Sequence, residues 1–149
     1  MNIQDDFKEF LRLLKKNNVE FVIVGGYAVA FHGYIRTTND MDIFFRNASE
    51  NINNIENALI DFGFTKGSFN LDEFYDPGSI IRMGIPPVRI EMINTISGLT
   101  FDQVWKNKVS GNYGDIQIFY IGFNVPDPNK KASGRPKDLL DIDELGVKE

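Results

Sequence analysis

The chain has 149 residues, 42% of them apolar, including thirteen Phe, and a formal net charge of −5. That suffices for one packed domain, expected over residues 1–149, and argues against disorder. The acidic balance excludes a globally basic nucleic-acid binder, so no DNA partner is expected, and the lack of cysteine excludes a disulfide framework and a thiolate metal site.

Met1 to Gln4 carries no secretory pattern, and the longest apolar run, Phe21 to Val24, is too short to span a bilayer. A cytoplasmic location without membrane contact is therefore expected. In chain order, Phe7, Phe10, Leu11 and Leu14 recur at helical spacing and predict an amphipathic helix from Asp5 to Lys16. Asn17-Asn18 is its stop, because Asn tolerates the left-handed conformation. Glu20 to Val24 reads as a buried strand. Gly25-Gly26 breaks it, and Tyr27 to Phe31 begins a helix that Gly33 closes. Met41 to Phe45 is a second strand. Ser49 to Phe62 is a helix capped by Ser49 and stopped by Gly63, with Ile52, Ile55, Leu59 and Phe62 on one face.

Phe64 to Phe74 holds weak strand signals. Ser79 to Met83 and Val88 to Ile93 are stronger strands, joined through Gly84 and Pro86-Pro87. Phe101 to Lys108 predicts a short helix, and Asp115 to Ile121 alternates as a strand. Pro126 and Pro128 mark a loop, and Pro136 to Leu145 a last helix. This order describes a mixed α/β or α+β domain.

Two local features carry chemistry. Side chains alternate along a strand, so Asp40 and Asp42 share a face, with Cα atoms about 6.5–7 Å apart. Carboxylates that close repel unless a cation lies between them, and a hard divalent ion with oxygen ligands is its natural identity. Gly25 and Gly26 lie between a strand and a helix, where bare backbone N–H groups can hold a phosphate. A phosphate cradle beside a carboxylate metal site is what phosphoryl or nucleotidyl transfer requires. Taken singly, the glycines also fit a tight turn and the acids a solvated strand edge.

Gly-Gly followed about a dozen residues later by Asp-x-Asp between apolar residues resembles the DNA polymerase β-type nucleotidyltransferase superfamily. The string VGGYAVAFHGYIRTTNDMDIFF and the ending KKASGRPKDLLDIDEL resemble a subgroup of small bacterial and archaeal members that includes AbiE-type toxins. The resemblance implies a minimal nucleotidyltransferase core: a short mixed β-sheet with helices packed mainly on one side. It implies transfer of an NMP from an NTP to a hydroxyl on an RNA end, a protein or a small molecule. Asp40 and Asp42 would bind Mg²⁺ (or Mn²⁺), and a third carboxylate is required on a later strand. Glu91 in Val88-Arg89-Ile90-Glu91-Met92 fits that place, although the family usually carries Asp. The alternative for Glu91 is an ion pair with Arg89.

The resemblance further implies that Gly25 and Gly26 hold the triphosphate. Arg36 and Thr38 join them as candidates, against an ion pair for Arg36 and a turn cap for Thr38. Lys131 and Lys137, in a basic cluster with Lys130 and Arg135, are candidates for phosphate binding. His32, Phe101 and Trp105 read as structural, and Asp72, Glu73 and Asp76 as solvated. No length remains for an acceptor-binding domain, so a small acceptor, a partner protein or a homodimer is expected. A catalytically weak nucleotide-binding or regulatory module is the rival function, favoured by Glu at position 91 and by the proline-containing segment.

Overall fold

The computed structural model describes residues 5–33, 40–85 and 88–122. Helix α1 spans Asp5–Lys16 and buries Phe7, Phe10, Leu11, Leu13 and Leu14. Asp5 and Asp6 lie in its first turn and Lys15 and Lys16 in its last, matching the helix dipole at both ends. It ends as its sequence dictates, with Asn18 at φ 59°.

Strand β1 (Phe21–Val24) is buried throughout. Helix α2 (Gly25–Phe31) follows without a loop, so the helix starts at the glycines themselves, two residues before its predicted start. Next come β2 (Asp40–Phe45) and α3 (Ser49–Phe62). The cap of α3 is Ala48, in extended conformation and without a side-chain hydrogen bond, rather than Ser49; Gly63, at φ 123°, terminates it as expected. The strand signals between Phe64 and Phe74 are not realised. That stretch is turns leading into a single-turn helix, α4 (Asp72–Tyr75), with Phe74 buried against Phe45. Its Phe64 and Phe69 rings meet edge-on, with centroids 6.4 Å apart, instead of alternating along a ladder.

Strands β3 (Ile80–Ile85) and β4 (Val88–Ile93) are antiparallel neighbours. Helix α5 (Phe101–Lys106) is opened by a reciprocal capping box between Thr100 and Gln103. Strand β5 (Val109–Tyr113), which its sequence did not announce, pairs antiparallel with β6 (Ile116–Tyr120). The segment with Pro126 and Pro128 and the helix expected from Pro136 to Leu145 lie outside the described residues.

The six strands form one mixed sheet in the order β3-β4-β2-β1-β6-β5. The pairs β2 with β4 and β1 with β6 are parallel, and β1 with β2 is antiparallel. This is the mixed α/β architecture expected. One face carries Ile23, Met41, Ile43, Phe45, Ile90 and Met92, all buried. The α1–α3 pair packs through Phe10 and Phe62, whose ring centroids are 5.2 Å apart. Helix α2 lies on the same face: Phe31 stacks flat on Tyr120 at 4.0 Å. That stacking needs Gly111 on β5, where a Cβ would stand 2.4 Å from the Phe31 ring. On the other face, α5 covers one end only, with Phe101 against Phe44 at 5.0 Å and Trp105 edge-on to Phe119.

Candidate active site

The end of that second face left uncovered by α5 holds the acids. Register places them in two rows across the sheet. One row runs Arg82 (β3), Glu91 (β4), Asp42 (β2) and Val24 (β1); the next runs Gly84, Arg89 and Asp40. Paired residues of neighbouring strands project to the same side, so the three expected carboxylates share one face, and Asp42 and Glu91 are immediate neighbours. Both are buried, 6% and 4% exposed, which is unusual for carboxylates and demands compensation.

Arginines supply part of it. The Arg82 Nε donates to Glu91 Oε2 at 2.9 Å. The Arg89 Nε stands 3.6 Å from Asp40 Oδ1, a charge contact too long for a hydrogen bond. The expected alternative partner of Glu91, Arg89, is therefore taken by Asp40, and Glu91 is held by Arg82 on the neighbouring strand. Glu91 Oε1 remains buried without a hydrogen-bond partner. As they stand, no three His, Asp or Glu side chains among the described residues come close enough together to hold a metal ion. Each outer carboxylate is turned to its arginine.

Gly25 and Gly26 sit at the end of β1, beside the row that contains Val24 and Asp42. Gly25 has φ 70°, a left-handed conformation that side chains resist. Gly25→Ala is expected to lower stability by about 1–2 kcal/mol through that strain alone. A urea titration with unchanged midpoint would show that the backbone there relaxes freely.

Tyr27, on α2, links the glycine turn to the core: its ring meets Phe7 and Tyr113 edge-on, each at 5.7 Å. Burial pushes the Tyr27 hydroxyl up from its ordinary pKa, and Tyr113 and the Asp40 carboxylate add to the effect. Burial, then Tyr113, pushes Tyr120 up to about 12. The folded state thus keeps both protons where the unfolded chain releases them, above pH 10. That stability is complete below pH 10 and is lost as pH rises, by about 1.4 kcal/mol per unit for each fully shifted group until its folded pKa is reached. Thermal melts between pH 9 and 12 are expected to fall steeply, and less steeply in Tyr120→Phe. Equal slopes would show that Tyr120 titrates alike in both states.

His32 closes α2 structurally, as its sequence position suggested: its Nε2 lies 2.7 Å from the Ile121 carbonyl. Phe101 and Trp105 are packing residues. Arg36, Thr38, Lys131 and Lys137, with Lys130 and Arg135, lie outside the described residues. Arg82 was not foreseen. Its sequence neighbourhood, Ile80-Ile81-Arg82-Met83, is an ordinary alternating strand, and only pairing with β4 reveals its partner.

A family model described as "Nucleotidyl transferase of unknown function (DUF2204)" matches residues 3–113. The chain belongs to this family. The match includes the glycine turn and all three carboxylates, and it makes the protein a member of a nucleotidyltransferase family. The fold is similar to a crystal structure from Thermotoga maritima, of a protein itself assigned only provisionally as a nucleotidyltransferase. The TM-score is 0.57 at 16% identity, over 96% of this chain and 91% of the other. At that identity the likeness concerns the fold alone. No significant match was found among curated proteins. The AbiE-type affinity is not among these findings. No helix among the described residues is long and apolar enough to cross a membrane.

Proposed function

We propose that this family member transfers an NMP from an NTP to a hydroxyl acceptor, with Asp40, Asp42 and Glu91 as its catalytic carboxylates. The observation that carries the reading is the register that sets Asp42 beside Glu91, both buried, on one face of the sheet. The donor set suits a divalent metal, Mg²⁺ or Mn²⁺. It is all carboxylate oxygen, and Glu91 Oε1 is buried without a hydrogen-bond partner. Asp40, Asp42 and Glu91 would hold that ion, which supplies charge neutralisation for the triphosphate.

The chain's own groups do the rest. The turn at Gly25 and Gly26 offers backbone N–H donors to the triphosphate, and Arg36, Thr38, Lys131 and Lys137 are further candidates for its phosphates. Glu91 accepts the proton of the acceptor hydroxyl as its oxygen bonds to the α-phosphorus. The bond from that phosphorus to the bridging oxygen breaks, and pyrophosphate leaves. The acceptor, on an RNA end, a protein or a small molecule, is held with a partner protein or a second copy of the chain, in a cytoplasmic setting and within one domain over residues 1–149.

The test is label transfer from each α-labelled NTP, with Mg²⁺, to a cell extract. Label is expected with the wild type and not with Asp40→Asn/Asp42→Asn. NTP binding without transfer would favour the regulatory module. The resemblance of the stretch from Val24 to Phe45 to a subgroup of small nucleotidyltransferases that includes AbiE-type toxins motivates a second reading, a toxin role for the same chemistry. Expression is then expected to arrest growth, and Asp42→Asn to relieve the arrest; harmless wild-type protein would remove that role.

A further inference from the structure

The two arginines on the acid face have no part in the chemistry just described, yet they occupy its ligands. Arg82 lies on β3, the outermost strand of its side of the sheet, and its side chain is 52% exposed while its partner Glu91 is 5% exposed. The pair is therefore a cation at the rim reaching in to a buried acid. Arg82 meets one oxygen of Glu91 and leaves Oε1 without a hydrogen bond. Arg89 approaches Asp40 only at 3.6 Å, and its own Nε is buried without a hydrogen-bond partner. Neither contact has the two-pronged geometry of a structural arginine–carboxylate pair. Among the described residues the three carboxylates do not form a closed metal-binding cluster.

We propose that Arg82 is a displaceable counter-ion for Glu91: it neutralises the buried acid before metal arrives, and it competes with the metal for that carboxylate. The inference rests on the metal-dependent reading above. Several features favour exchange over a permanent bridge. A buried carboxylate left without a cation is costly, so some positive charge must accompany Glu91 at all times. The exposed guanidinium can swing outward into water at little cost, since its exposed length is already solvated. Register supplies the pairing directly, Arg82 standing opposite Glu91, so return needs no backbone movement. Once released, the guanidinium lies at the rim beside Glu91, where it would attract an anionic group. Arg82 is thus a positioning residue acting through Glu91.

A double-mutant cycle on metal binding tests this without any turnover. Mn²⁺ affinity is measured by the loss of the free-ion electron paramagnetic resonance signal for wild type, Arg82→Gln, Glu91→Gln and the double variant. Arg82→Gln is expected to bind Mn²⁺ about tenfold more tightly, the scale of a charge-pair coupling at a partly buried site. In the Glu91→Gln background the same change is expected to have no effect, because its target is gone. Arg82→Lys should fall between wild type and Arg82→Gln. Melting curves without metal verify that each variant is folded, and Arg82→Met replaces Arg82→Gln should the latter fail. An equal gain in both backgrounds would reveal only a general field effect and overturn the exchange. Unchanged or weaker binding in Arg82→Gln would show a merely structural bridge. Absence of Mn²⁺ binding in every variant would overturn the metal-dependent function and the exchange with it, whereas binding without coupling overturns the exchange alone.

Discussion

Asp42→Asn is expected to reduce nucleotidyl transfer by about 10²–10⁴-fold while leaving the protein folded. Asp42 is the central member of its row, flanked by Glu91 on β4 and by Val24, the residue before the glycine turn, on β1. Asp40 is one pleat away and faces Arg89. Asn keeps the volume and one acceptor oxygen but removes the charge that a divalent cation requires. The fold should tolerate the change, because the substitution also removes one of two adjacent buried negative charges. The check is transfer kinetics beside a thermal melt. Retained activity in a folded variant would move the catalytic centre away from this row; lost activity through unfolding would show that Asp42 supports the core.

Phe7→Ala is expected to cost about 3–5 kcal/mol, a large share of the roughly 5–15 kcal/mol that holds a domain of this kind together. Phe7 is fully buried in α1 and meets the Tyr27 ring edge-on. Tyr27 continues to Tyr113 on β5, so one ring links α1, α2 and the far edge of the sheet. Truncation would leave a cavity between elements that cannot collapse independently, since the glycine turn fixes the start of α2. At about 2–4 °C per kcal/mol for a chain of this size, the melting temperature should fall by roughly 6–20 °C. A loss below about 1 kcal/mol would mean that the aromatic cluster repacks. NTP binding in the folded fraction should also weaken, because Tyr27 positions the glycine turn.

Sequence spacing alone was enough for what is local. The run of Phe7, Phe10, Leu11 and Leu14 specifies α1 and its buried face, since a buried stripe at helical period has one way to face a core. Asn18 and Gly63 stop their helices because left-handed backbone favours those two residue types. The shared face of Asp40 and Asp42 follows from alternation, and the glycine turn from its composition. By contrast, β5 is a weak strand by its residues, Val-Ser-Gly-Asn-Tyr, mostly exposed; its partner β6 and the Phe31 ring over Gly111 make it one. Phe64 to Phe74 has strand-like residues but folds as turns and the single-turn α4, with Phe74 buried against Phe45.

The composition and spacing of the chain determined its class, its longer helices, the shared face of Asp40 and Asp42 and the turn at Gly25-Gly26, because each depends on residues within a few positions of one another. The tertiary structure decided what stands beside each acid. Glu91 stands beside Asp42, and Arg82 opposite Glu91, only through the order and register of β3, β4 and β2. Register is a contest among whole strands to bury their apolar faces, and no single stretch of sequence contains its outcome.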